Sequence, residues 1–485
     1  MKKVLFFYLG LVSFTLFLLV HSPAGLLQDS VYKYFQTIDY LDSGKIDFSI
    51  HNHNYEIDPE NEFGIFKPPF AHLIHGKIFM TFPWLWVYLN APLFSILNFY
   101  AIYLIPIFSG ILSIVALRFL MIQLFDNDTL IEKSLLFYVL GTALSIYSVW
   151  YYEGNLCNLL LYTFLIFQIK SSVRESYLIL TFEILASLLI LNILIILRTE
   201  VYFLAILYLF AIKMDSKKNL ISNLHFFLLY TFIPLFIYIY SNSLIWDTPQ
   251  GLRFLVTNSF TFGDRILRIF EYFFFAKYSL LVYLPTFFLT LIFFRDLKTN
   301  FRNTLFRFYL ASLVFMIILP FVSPQQQGSD LVPRFFFPVI PILVLCILYV
   351  IYEKFPNNKH ILELFLYVPA LSIVAFSLFL ILFFNRSMDA LYKKIAPFNG
   401  DQIIVSSEII GHLVQNAEKR SVYYAPDMER LESLYSKEKI AKNRNIYFLY
   451  SKINKFNFTS SYLKSNFKKI TDIGEVIVYK RKIRN

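Results

Sequence analysis

Cysteine is all but missing from this chain, with two in 485 residues, and charged residues make up only 16% of it. Cys157 and Cys346 both fall in or beside apolar runs, which excludes a disulfide framework and a CxxC redox or zinc site. Both are expected to be small core residues. The shortage of Asp, Glu, Lys and Arg excludes an ordinary soluble protein, in which about 25% of residues are charged. GxGxxG, a P-loop and HExxH are also missing, so no nucleotide or zinc-peptidase site is indicated. Nor is there internal symmetry of the inverted-repeat kind that marks a secondary transporter.

What fills the chain instead is apolar surface: 57% hydrophobic residues, 19% aromatics and a mean hydropathy of +0.57. Apolar runs recur at roughly 20 residues, the length that crosses a hydrocarbon core about 30 Å thick. The chain therefore reads as an α-helical polytopic membrane protein. Residues 1–25 have the basic start and apolar stretch of a cleavable signal peptide, and are taken as a retained first span because the rest of the chain is equally apolar. Further spans are expected at 97–124, 134–151, 155–169, 177–197, 200–212, 221–245, 276–294, 305–322, 335–352 and 361–384, about eleven in all.

With Lys2 and Lys3 in the cytoplasm, alternation assigns DNDTLIEK, KSSVRES, KMDSKKN, RDLKTNFRNTLFR and EKFPNNKH to that side. Nearly all are rich in Lys and Arg, so much of the net charge of +11 reads as membrane topology and not as nucleic-acid binding. The opposite side receives 21–96, the YYEGN and RTE turns, 246–275, the SPQQQGSDLVPR loop and the C-terminal tail.

The longest polar interval before the tail is 28–69. Val31, Tyr34, Phe35, Ile38 and Leu41 recur at helical spacing and Gly44 is a stop signal, which predicts an amphipathic helix over 29–42 lying in the bilayer interface. Residues 45–66 read as irregular, and 68–90 as a second interfacial element anchored by Trp84, Trp86 and Tyr88. From about 385 the composition becomes that of a soluble protein. QIIVS, SVYYAP, NIYFLY and EVIVYKRKI alternate with helical stretches, the pattern of a small α/β unit. The expected division is thus a membrane domain, 1–384, and an extracytoplasmic α/β domain, 385–485. The terminal YKRKIRN is expected to be a solvated strand end, and the sequons at Asn385 and Asn457 to be chance occurrences.

Charge near membrane depth costs a few kcal/mol per residue, so it marks candidate functional groups. Asp29, Lys67, Glu153, Arg198, Glu200 and Arg334 all fall on the side opposite the basic loops. An acid and cations at one interface suit sugar transfer from a lipid phosphate. A carboxylate accepts the proton of an attacking hydroxyl, while Lys67 and Arg334 stabilise the departing phosphate by charge-assisted hydrogen bonds. Each residue also has a structural reading: Asp29 as a helix N-cap, Lys67 snorkelling, Arg334 anchoring a span, and Arg198 paired with Glu200. Glu153 is a candidate acceptor contact. His51, His53, His72 and His75 have loose HxH and HxxH spacing and read as loop and interfacial residues, so no metal or other cofactor is expected.

The same residues carry a family resemblance. Asp29 ahead of an amphipathic helix, Lys67-Pro68-Pro69, the Leu197-Arg198-Thr199-Glu200 turn and Gly328 to Phe335 before a proline-bearing span resemble the GT-C glycosyltransferases. Most similar is the protein O-mannosyltransferase and lipid A aminoarabinose transferase branch, over about residues 1–384. The resemblance implies an inverting enzyme that moves a monosaccharide from a polyprenyl phosphate to a hydroxyl or phosphate on a glycan, lipid or protein. It places the reaction at the periplasmic face of a bacterial inner membrane, among membrane lipids and without nucleic acid. It assigns Asp29 as the catalytic carboxylate and Lys67 as the phosphate contact. Family members often have Asp-Glu where this chain has Asp29-Ser30, which leaves Asp39 and Asp42 as alternative bases. Two other readings share the spans. A flippase for a lipid-linked saccharide calls for inverted repeats, and a non-catalytic scaffold would tolerate loss of Asp29 and Arg334.

Overall fold

The computed structural model describes residues 1–26, 29–44, 49–68, 70–171, 177–213, 220–249, 251–252, 261–275, 279–300, 303–322, 336–398, 402–414, 421–436, 446–452, 463 and 465–482. Helices dominate. In chain order the first ten are α1 (Lys2–Leu18), α2 (Asp29–Ser43), α3 (Trp84–Leu97), α4 (Ala101–Leu124), α5 (Asp128–Leu140), α6 (Leu144–Ser148), α7 (Gly154–Ser171), α8 (Tyr177–Leu197), α9 (Thr199–Lys213) and α10 (Leu220–Trp246). The chain forms two compact units. The first is Met1–Leu18 with Pro83–Ile381, and the second is Leu19–Phe82 with Leu382–Asn485. The first loop thus groups with the tail, whereas the expected boundary near 384 had left it with the spans.

Among the described residues, four helices are long and apolar enough to cross a bilayer: Trp84–Leu124, Leu224–Trp246, Thr304–Phe321 and Lys359–Ile395. Phe17, Phe182, Phe236, Leu244 and Phe379 are exposed on helices, which suits lipid as the surrounding solvent. The molecule is an integral membrane protein. Two expected spans are interrupted. The run 134–151 breaks after Leu140, and 276–294 breaks at Pro285, which has no backbone N–H to continue a helix. The breaks meet, because the Tyr283 hydroxyl donates to the carbonyl that Gly141 frees. Away from water, a released backbone group needs such a partner.

Close approach is set by small residues. A Cβ at Gly110 of α4 would lie 2.1 Å from the Tyr8 hydroxyl, so only glycine lets α1 pack there. The Tyr8 ring is fully buried and its hydroxyl is 2.6 Å from Ser148 Oγ. Several segments assigned by alternation to one side do come together. The Met1 ammonium pairs with Glu132, Lys133 with Glu363, and Lys354 with Asp296, at 2.6–2.7 Å.

The second unit is built on two sheets. Strands β1 (Ser49–Ile50), β2 (Ala71–Ile74) and β3 (Lys77–Met80) pair antiparallel in the order β1-β3-β2. This corrects the expected interfacial element at 68–90: residues 71–80 are a β-hairpin, and α3 begins at Trp84. Both turn residues have positive φ, 47° at His75 and 74° at Gly76, the geometry of a type I′ turn whose twist matches that of the paired strands. Strands β4 (Gln402–Val405), β5 (Ser421–Tyr424), β6 (Ile446–Ser451), β7 (Phe467–Ile473) and β8 (Val476–Arg481) form a mixed sheet, β5-β4-β6-β8-β7. The first three run parallel, while β7 and β8 pair antiparallel. Four of the five match the strand-like runs of the sequence, and β7 was not foreseen.

Helix α2 ends where Gly44, at φ 61°, donates to the Tyr40 carbonyl. It does not present a free apolar stripe. Val31, Tyr32 and Phe35 pack into one core with Ile403, Val405, Val422, Leu449 and Val478, while Leu41 is exposed. Burying such a side chain contributes about 1.5–3 kcal/mol, which outweighs an interfacial position. Residues 49–66, expected to be irregular, are ordered by side-chain caps: the Asp58 carboxylate accepts from the Glu62 and Phe63 amides at 2.9 and 2.7 Å. Gly64 then bridges Tyr423 on β5. Asn385 is buried and bonded to Val20 and Gly25, so that sequon presents no free amide, and Asn457 lies outside the described residues.

Candidate active site

The first unit brings together three of the sequence candidates. Arg198, at the α8–α9 turn, donates from Nε to Glu153 Oε1 at 2.8 Å and from Nη1 to Glu200 Oε1 at 2.7 Å. All three side chains are buried, and Glu153 is wholly inaccessible. The guanidinium also lies over the Tyr152 ring, 4.5 Å from its centroid. Glu200 belongs to the first turn of α9, where a carboxylate faces the positive end of the helix dipole. Glu153 is the last residue before α7, and Gly154 keeps it there, since a Cβ at 154 would be 2.8 Å from the Tyr147 ring. Two carboxylates and one guanidinium thus share a buried site on the first unit.

A polar network that sequence reasoning missed supports this turn. Asn155 Nδ2 donates to the Pro106 and Leu144 carbonyls, both at 3.1 Å, and to Ser148 Oγ at 2.9 Å. Asn158 Nδ2 donates to the Tyr138 hydroxyl at 3.0 Å. Asparagine in an apolar run was the available signal, since a buried amide requires partners.

The second unit holds the other candidates. Asp29 is the first residue of α2 and half-buried. One turn on, Lys33 is fully buried, with Nζ 5.4 Å from the Phe82 ring centroid. Positions i and i+4 share a helix face, so α2 presents an acid and a base together. Asp39 is buried and its Oδ1 accepts from the His51 amide at 3.4 Å, whereas Asp42 is exposed. Lys67 is half-buried: Nζ donates to the Glu62 carbonyl and lies 5.0 Å from the Tyr424 ring centroid. Arg334 and Pro69 lie outside the described residues.

The histidines do not converge. His72 is on β2 opposite Phe79 and His75 is in the turn, while His51 and His53 stack edge to face with centroids 4.5 Å apart. Among the described residues no three His, Cys, Asp or Glu side chains form a metal-binding group. Burial lowers the pKa of His72 and pulls that of His412, packed on Tyr32, Phe35 and Phe66, down to about 4.

No family model matches the sequence, and a search of curated proteins gives no match. Solved structures do match. ArnT from Cupriavidus metallidurans bound to undecaprenyl phosphate aligns over 99% of this chain and 97% of its own, with a TM-score of 0.52 at 11% identity. The fold is that of ArnT. Apo ArnT aligns over 94% and 93% with a TM-score of 0.51 at 13% identity. The archaeal oligosaccharyltransferase AglB from Archaeoglobus fulgidus, in complex with an inhibitory peptide and a dolichol-phosphate, aligns over 93% of this chain and 69% of its own (TM-score 0.51, 10% identity). The likeness to ArnT therefore spans the membrane helices, the first loop and the tail.

Proposed function

We propose that the protein is an inverting glycosyltransferase that moves a monosaccharide from a polyprenyl phosphate to a hydroxyl or phosphate on a glycan, lipid or protein. The observation that carries the reading is the end-to-end likeness to ArnT, a structure bound to undecaprenyl phosphate. In this reading the chain spans a bacterial inner membrane about eleven times, with the α/β tail and the site on the periplasmic side. Asp29, half-buried at the start of α2, is the base that takes the proton of the acceptor hydroxyl as its oxygen attacks the anomeric carbon. Asp39 is occupied with the His51 amide and Asp42 faces solvent, so both serve less well. The bond to the lipid phosphate breaks as the new one forms, and Lys67 and Arg334 stabilise the charge left on that phosphate. Lys33, one turn on, shares that helix face. Glu153, Arg198 and Glu200 serve the acceptor, their carboxylate oxygens being suited to accept from its hydroxyl. No metal or resident cofactor is invoked.

The test is release of polyprenyl phosphate from purified protein given polyprenyl phosphate sugars and envelope extract. Asp29→Asn should lower turnover by about 10²–10⁴, the usual worth of a general base, with an unchanged melting temperature. Full activity in that variant rules the assignment out.

A further inference from the structure

The charge of the second unit is divided between the two edges of its larger sheet. Residues 385–485 carry 19 Lys and Arg against 10 Asp and Glu, and the positive-inside rule does not account for them, since alternation puts the tail opposite the basic loops. The acids of the first loop do not offset that excess locally. Asp58 and Glu62 belong to the segment that bridges β5 through Gly64, at one edge of the sheet β5-β4-β6-β8-β7. The other edge is β7, four strand spacings or about 19 Å away, which exceeds the Debye length of about 8–10 Å.

On the β7 edge two lysines stand directly opposite each other. The register pairs Lys468 of β7 with Lys480 of β8, and Lys480 in turn with Tyr447 of β6, whose ring centroid is 5.3 Å from Lys480 Nζ. Like charges in that position destabilise a strand pair. Asp472, the one acid of β7, pairs with Lys452 and Lys469 instead. Among the described residues neither Lys468 nor Lys480 has an ion-pair partner, and the adjoining stretches 453–464 and 483–485 contain no Asp or Glu. An arrangement that costs stability, with no carboxylate to relieve it, calls for an anion from outside the chain.

The helix Lys359–Ile395 says which anion. It is apolar enough to span a bilayer, and its exposed side chains change from Phe383 and Phe384 to Arg386, Lys393 and Lys394 within about 15 Å of axis. Just past its end Phe398 packs edge-on against the Tyr447 ring, with centroids 6.0 Å apart. Lys480 is thereby joined to the stretch where this helix passes from apolar to basic. We propose that Lys468 and Lys480, with Lys394 of that helix, dock the sheet edge on the anionic phospholipid headgroups of the membrane that holds the chain. Free phosphate shares the chemistry, but it gives no reason for the lysines to lie beside the end of a spanning helix. The inference needs no part of the transfer reaction.

The test is amine acetylation, read by mass spectrometry, on the full-length protein in nanodiscs of phosphatidylcholine alone or mixed with phosphatidylglycerol. Phosphatidylglycerol should slow labelling of Lys468, Lys480 and Lys394 about fivefold, the usual worth of one cation near an anionic surface, and high salt should restore it. Lys468→Glu places a carboxylate opposite Lys480. It should raise the melting temperature in detergent, because a repulsive pair becomes an attractive one, and remove most of the lipid effect at Lys480. Lys468→Gln, which makes no new ion pair, should shift both in the same directions by less. Asp29→Asn should respond as the parent does, which separates docking from transfer. The proposal is overturned if labelling is equal in the two lipids, if inorganic phosphate slows it as much in phosphatidylcholine nanodiscs, or if both Lys468 variants keep the full response. Melting temperatures at or below that of the parent in both variants overturn it as well, since the lysine pair then costs nothing.

Discussion

The two units bury polar groups by opposite means. In the first, the candidate cluster is ionic: one guanidinium is shared between two carboxylates inside a helical body whose outer faces are Phe and Leu. In the second, buried carboxylates are met by chain amides and hydroxyls: Asp58 accepts from the Glu62 and Phe63 amides, Asp39 from the His51 amide and Asp389 from the Ser22 hydroxyl at 2.8 Å. The contrast follows from the solvent each unit faces. In lipid an unpaired charge has nowhere to go, so it persists only where partners are built around it. A unit in water can settle a buried carboxylate on neutral amides and hydroxyls, or on a lysine that is itself exposed, as Lys393 is beside Asp389.

The sharpest way to break this comparison is to remove the centre of the ionic cluster. Arg198→Ala leaves Glu153 and Glu200 buried without their shared cation, and loss of one member of a buried ion pair costs about 3–5 kcal/mol. Detergent-solubilised protein should show a large drop in yield and melting temperature. Arg198→Met combined with Glu153→Gln and Glu200→Gln should restore most of the fold, since neutral groups of similar volume carry no such penalty. If the single variant melts like the parent, the cluster is not what holds the α7 and α9 ends together. If the triple variant folds but does not transfer sugar, the cluster serves chemistry as well as structure.

The charges of that cluster were visible in the sequence, and so was the Arg198–Glu200 pairing, because two residues of one turn cannot be far apart. Glu153, 45 positions away, joined them only in the structure. The same limit runs through the molecule. Apolar runs and Gly44 marked α2 and most of the helices, since a helix is decided within a few turns of chain. Where α2 packs was not legible, because its partners on β4 and β5 lie more than 300 residues on, as Asn54 and Val422 do, 368 positions apart. Hairpin β2–β3 escaped because its strands are four residues long and carry His72, and a short apolar run suits several environments. The motifs pointed to the fold that the chain shares with ArnT, yet Lys33 and the buried Asn52, Asn54 and Asn61 matched no motif and stood out only once burial was known.

Acid should separate the units. His412 is held neutral by burial against Tyr32, Phe35 and Phe66, with a folded-state pKa of about 4 against about 6.5 when unfolded. Between those values the unfolded chain binds the extra proton, so stability of the second unit is complete above pH 6.5 and declines as pH falls toward 4. The loss is on the order of 2–3 kcal/mol at the lower end. His72, lowered by the same cause, adds in the same direction. Hydrogen exchange should show amides of β4 to β8 losing protection between pH 6.5 and 4 before those of α7 and α9. His412→Phe should remove most of that dependence, and an acid response equal in both units would put its origin elsewhere.

The smallest effect discriminates two accounts of one segment. As an interfacial element, 68–90 would gain nothing from a glycine at 76. As a type I′ hairpin it requires φ of 74° there, where a residue with a Cβ costs roughly 1–2 kcal/mol. Space is not the obstacle, because the nearest atom to a Cβ at 76 is Tyr55 Cε2 at 3.4 Å, an ordinary contact. Gly76→Ala should therefore destabilise the second unit by about 1 kcal/mol through the backbone alone. His75→Asn should raise stability by a few tenths of a kcal/mol, since Asn accepts positive φ more readily and Asn-Gly is the favoured pair for this turn. Read together by hydrogen exchange at β2 and β3, opposite signs at adjacent positions are specific to the turn. Lipid contact would give two losses or none.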